Sequence, residues 1–189
     1  MISDDELYIL SYYRAGELAG SLLFGRLAFH TTIDRIRTPL TRHCLEEAEH
    51  AWLWTKTIRQ LGHEPLKVTE TYQTEYAREF GMPRNMLEIF CLTQVLERRV
   101  LSHFQMHRQR PGTHAVICDA LQKMIDDEQG HLGWIWKELE AWGRENGEQG
   151  EAEVRETMAR LEEIDDRVYN RLVRSAPFEA YFSNREVRT

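Results

Sequence analysis

The sequence predicts an all-α protein: a four-helix bundle of two antiparallel hairpins joined by a long crossover, with a fifth helix toward the C-terminus. Three observations carry that expectation. Apolar residues recur at helical rather than alternating spacing along most of the chain. The pattern breaks at prolines and glycines. The connections between periodic segments run short, long, short, which is the order that two hairpins and one crossover require.

Each element has its own signal. Helix one is expected from Ser3 to about His30: the capping box Ser3-x-x-Glu6 opens it, and Leu7, Leu10, Phe24 and Leu27 follow at helical spacing without a proline. Thr38-Pro39 marks the start of helix two, because proline suits a first helical turn, and Gly62 after Leu61 marks its end. The next twenty or so residues, as far as Pro83, are rich in glycine, proline and polar groups. A connection that long makes sense if it travels the length of a bundle, and Tyr72, Tyr76 and Phe80 can line one face of a short helix within it. Helix three is expected from about Arg84 to Arg108, before the turn Pro111-Gly112. Thr113 is placed to cap helix four, which reaches about Trp142 and loses its pattern at Gly143, Gly147 and Gly150. The fifth helix, about Glu151 to Leu172, carries Val154, Met158, Leu161, Val168 and Leu172 on one stripe, and the residues from Ser175 read as a tail. The expected division is a bundle over 1–146, with 147–189 packed on it or on a partner subunit.

Size and charge narrow the possibilities. With 189 residues, 42% of them hydrophobic, the chain has enough for one ordinary core and too little for two domains. The 24 Lys+Arg against 31 Asp+Glu leave a net charge of -7, so neither nucleic acid nor anionic lipid is an expected partner. The N-terminus is acidic where a secretory leader is basic, and no apolar run approaches the roughly 20 residues that span a bilayer, so a cytoplasmic protein is expected. Cys44, Cys91 and Cys118 stand far apart, which rules out a rubredoxin-like or zinc-ribbon module built on paired thiolates and leaves them as core residues.

The chemistry lies where charge interrupts the apolar stripes. In helix four the stripe Ile117, Leu121, Met124 continues through Glu128 and His131 to Ile135. In helix two Leu40 leads through His43 to Glu47, His50 and Trp54. Both helices therefore carry Glu-x-x-His, and residues three apart share a helix face, so carboxylate and imidazole can reach one ion. Glu17 stands midway between Leu10 and Phe24 in helix one, and Glu97 midway between Phe90 and Phe104 in helix three. Glu17 to Glu47 is 30 residues and Glu97 to Glu128 is 31, so Glu…Glu-x-x-His occurs twice, once per hairpin.

Four carboxylates buried together cost several kcal/mol each unless paired, and no lysine stands in the stripes between them. Two divalent cations cancel the four charges, and two neutral imidazoles complete the shell. This mixed oxygen and nitrogen set favours iron, with manganese as the alternative, over zinc or calcium.

In these six residues the chain resembles the ferritin-like di-iron carboxylate superfamily, over about residues 4–142. The resemblance implies that Glu17, Glu47 and His50 serve mainly one ion and Glu97, Glu128 and His131 the other, with Glu47 and Glu128 bridging. It also implies that Asp127 supports His50 and Glu46 supports His131, since a carboxylate acceptor on the far nitrogen orients a ligand imidazole. No catalytic group beyond the ligands is expected.

The other noted residues have plainer readings. His43, His103 and His107 read as surface or core histidines. Trp52, Trp54, Trp134 and Trp136 read as packing, and Tyr13, Arg14 and Thr93 as neighbours of the site. The implied activity is oxidation by dioxygen or peroxide, with an external electron donor. An oxygenase or oxidase on a small organic substrate is favoured, because Gln94, Val100 and Leu101 flank Glu97 where rubrerythrin-like peroxidases carry an extra glutamate. Ferroxidase and iron storage of the ferritin type is the second reading, and a helical scaffold with a structural metal is the third. A homodimer is expected.

Overall fold

The computed structural model describes residues 2–183, and among them there are helices and no strands. The order is α1 (Asp4–His30), α2 (Asp34–Gln60), α3 (Tyr72–Phe80), α4 (Met86–Gln109), α5 (Ala115–Leu172) and α6 (Phe178–Phe182). α1 with α2, and α4 with α5, form the two hairpins, and α3 lies in the crossover. The described chain thus has six helices rather than four plus one. The expected fourth and fifth helices are two limbs of α5, broken at Gly147, whose φ of 65° and ψ of -152° are open to glycine and strained for other residues.

Caps set most of the ends. Ser3 Oγ accepts from the Glu6 backbone N–H at 3.1 Å, opening α1 as its capping box requires. Asn85 does the same for Glu88 at 2.9 Å, so α4 begins just after the expected Arg84. Two expectations are corrected. α2 begins at Asp34, not at Thr38-Pro39, and carries Pro39 inside it. The extra turn buries Ile36 one turn before Leu40, both fully inaccessible, and that burial outweighs the one backbone hydrogen bond a proline forgoes. The residue that opens α5 is His114, one place after the expected Thr113: its Nδ1 accepts from the Val116 N–H at 3.2 Å, while Thr113 Oγ1 donates to the carbonyls of His107 and Arg110 at 3.1 and 2.9 Å.

By their contacts the described residues form two compact units, one of residues 2–73 with His114–Ala120, the other of Thr74–Thr113 with residues 121–183. In the first, Tyr13 packs on Trp54 with ring centroids 5.1 Å apart, Arg14 Nε donates to Thr55 Oγ1 at 2.8 Å, and Ser21 Oγ donates to the Cys44 carbonyl at 2.9 Å. These contacts lock α1 to α2. The Leu66 N–H donates to Ser11 Oγ at 3.0 Å and ties the start of the crossover to α1.

In the second unit the far limb of α5 is the organiser. Leu161 accepts from the Tyr76 hydroxyl at 2.5 Å, Asp165 from Arg99 at 2.8 and 2.5 Å, and Arg160 donates to Glu88 at 2.9 Å. Glu79 of α3 holds Arg167 and Arg171. Part of the expected tail is ordered structure: in α6 Phe182 stacks on His103 at 4.2 Å, and Tyr181 meets His107 edge-on at 5.0 Å. Its last residues, 184–189, lie outside the described residues. No helix among the described residues is long and apolar enough to cross a membrane.

Candidate metal centre

α1 and α2 bring four titratable side chains to one buried face. Glu17 is 5% exposed, Glu47 5%, His50 3% and His43 fully inaccessible. Glu17 Oε2 lies 3.5 Å from His50 Nδ1, and Glu47 Oε1 lies 3.2 Å from His43 Nε2. Phe24, two turns beyond Glu17, stacks on the His43 ring with centroids 3.7 Å apart and planes 16° off parallel.

Room for the Glu47 carboxylate comes from Gly20. A Cβ at that position would stand 2.2 Å from Glu47 Oε2 and 3.0 Å from its Cδ, far inside contact distance. A glycine three residues after Glu17, inside a helix where glycine costs about 1 kcal/mol relative to alanine, was the sequence signal for this pocket, and it went unread.

The second hairpin supplies Glu97 from α4, 8% exposed, and Glu128 and His131 from α5, at 1% and 3%. Glu128 Oε2 and His131 Nδ1 are 2.9 Å apart, as Glu-x-x-His spacing on one helix allows. Two groups of four buried side chains offer ligand atoms within 4.8 Å of one another: Glu47, His50, Glu128 and His131 in one, His43, Glu47, Glu97 and His131 in the other. Five of the six expected ligands fall in these groups. Glu17 belongs to neither and meets the centre through His50. His43, read from sequence as a surface or core histidine, is part of the second group; its place four residues before Glu47 on the same stripe was the available signal.

The donor set fits divalent cations. Carboxylates this buried are tolerable only when their charge is met, and hard oxygen donors with imidazole nitrogen are a transition-metal set. The all-α bundle with its clustered His and Glu side chains is consistent with a ferritin-like superfamily fold.

The remaining candidates are placed as follows. Asp127 Oδ2 is 2.6 Å from Lys123 Nζ, and Glu46 Oε1 is 2.7 Å from Arg42 Nε, both at the half-exposed edge of their helices. Tyr13 is buried against Trp54 and Arg14 is turned to Thr55. The Thr93 hydroxyl bonds the Ile89 carbonyl, and Gln94, three residues before Glu97, is buried. Trp54 is fully buried and Trp134 packs edge-on against Phe90 at 5.8 Å, whereas Trp52 and Trp136 are exposed. Cys91 is buried, and burial pushes its thiol up to about 12, which makes it an inert core residue. No family model matches the chain, and neither does any curated protein or solved structure.

Proposed function

We propose that this protein is a di-iron carboxylate oxidoreductase that acts on a small organic substrate with dioxygen or peroxide. The observation that carries the reading is the pair of buried His and Glu groups sharing Glu47 and His131. Of the two, the Glu47 carboxylate can serve two adjacent ions through its two oxygens, whereas the His131 imidazole gives one nitrogen to one ion.

Glu17, Glu47 and His50 would hold one ion and Glu97, Glu128 and His131 the other, with Glu47 and Glu128 bridging. A pair of ferrous ions supplies two electrons at one place, the chemistry needed to reduce dioxygen or peroxide. The chain's own part is to bring the carboxylates and imidazoles to one place, to set the imidazole tautomers and to keep water away from the centre. Asp127 toward His50 and Glu46 toward His131 are the proposed orienting carboxylates. Gln94 on the Glu97 face, in place of a further carboxylate, supports the oxygenase reading over the peroxidase one. The electron donor is external, manganese is the alternative metal, and the working form is a homodimer.

Loading with ferrous iron under anaerobic conditions, then admitting oxygen while recording the visible spectrum, tests the reading together with elemental analysis. Two iron atoms per chain and an oxygen-dependent absorption band are expected. Glu128→Ala should lose at least one of the two ions; a variant that keeps both removes Glu128 from the centre.

A further inference from the structure

We infer that His43 is a seventh protein ligand, giving a second imidazole to the ion held by Glu97 and His131. This rests on the di-metal reading above and adds to it an asymmetry that the repeated Glu…Glu-x-x-His pattern does not contain.

Three observations carry the inference. First, His43 Nε2 and Glu47 Oε1 are 3.2 Å apart. Two donors bound to one ion at about 2.0–2.2 Å and near right angles stand about 3 Å apart. The spacing matches those of Glu128 with His131 at 2.9 Å and Glu17 with His50 at 3.5 Å. Second, a histidine that only bonds Glu47 needs no other donor near it, yet ligand atoms of Glu97 and His131 lie within the same 4.8 Å group. Third, the ring is held ready: it is fully inaccessible and stacked on Phe24, so little rotamer freedom is lost on binding.

The consequence concerns which ion stays open. With His43 added, one ion has His43 and His131 as nitrogen donors and the other has only His50. Imidazole is neutral, so the charge balance of four carboxylates against two dications is unchanged. His43 would thus fill a position on the side held by Glu97 and His131, leaving the side held by Glu17 and His50 the more open to an outside molecule.

Cobalt(II) is the probe, because each bound histidine with a protonated far nitrogen gives one paramagnetically shifted, solvent-exchangeable proton signal. The full-length protein loaded with cobalt should show three such signals, for His43, His50 and His131. His43→Phe keeps the aromatic stack, and His43→Gln keeps a hydrogen-bond donor to Glu47. Both should show two signals, with cobalt affinity about tenfold weaker or more. Two signals in the unsubstituted protein, or three in His43→Gln, would overturn the inference while leaving the di-metal reading standing. Failure of the unsubstituted protein to bind cobalt, iron or manganese at all would overturn both.

Discussion

Gly20 sets an unusual trade between stability and function, because the helix would gain from the methyl group that the centre cannot accept. Alanine there should strengthen α1 by about 1 kcal/mol on propensity alone. Its Cβ would also drive the Glu47 carboxylate from a position 2.2 Å away. Gly20→Ala is therefore expected to melt at or above the parent's temperature when metal-free, yet to retain fewer than two ions per chain. Calorimetry of the apo protein beside elemental analysis of the loaded one checks both halves. A core histidine gives a second prediction at this scale. Burial, and then the charge of Arg99, hold the His103 imidazole down to about 3. An unfolded histidine titrates near 6.5, so in acid the unfolded chain takes the proton first, and the native state loses stability as the pH falls from there toward 3. His103→Phe should flatten that decline, and the difference between the two proteins' melting temperatures across this window measures it.

At the scale of elements, the attachment of the far limb of α5 to α4 turns on Glu88. Hydrogen bonds from the Arg84 side chain first, then from its backbone N–H and from Arg160, hold this carboxyl well below the usual range, at about 2. The native state therefore gains from the charged form. That gain is present above the ordinary value of 4.5 and disappears as the pH falls toward 2. Both arginines are partly solvated, with side chains 76% and 46% exposed, so the contribution is about 1 kcal/mol rather than the full worth of a buried pair. Glu88→Gln should be less stable by that amount at neutral pH, and the gap should narrow as the pH falls below 4.5 toward 2, as urea midpoints at pH 7 and pH 3 will show.

The elements also show which signals a sequence carries. The start of α1 and the end of α2 were legible because Ser3 and Gly62 act on their own neighbours in the chain. The start of α2 was not. Its extra turn exists because Ile36 finds a core, and no local residue announces that. α6 was missed for the same reason: Tyr181 and Phe182 are buried against His107 and His103, more than seventy residues earlier in the chain.

For the molecule as a whole, the apolar side chains exposed on the α1–α2 hairpin are the expected seat of the proposed homodimer. Residues 18–30 of α1 contain no acidic side chain in a chain with 31 of them. Leu22 and Phe29 on α1, and Leu45 and Trp52 on α2, are 76%, 84%, 58% and 54% exposed. Two copies of net charge -7 meet most favourably where their own charge is sparsest and their apolar surface largest. Light scattering should give about twice 22.4 kDa, and Leu22→Glu should return a monomer.

What the sequence determined by itself is local or periodic. Helix periodicity, capping residues and the two Glu-x-x-His spacings follow from contacts within three or four residues, and they mark the hairpins and six ligand candidates. What only the tertiary structure decided is which side chains share a space. The fit of Gly20 against Glu47 and the stacking of Phe24 on His43 depend on α1 meeting α2 at one register, a distance across helices that no spacing along one helix encodes. Local geometry is written into neighbouring residues, whereas the shape of a cavity is set by packing.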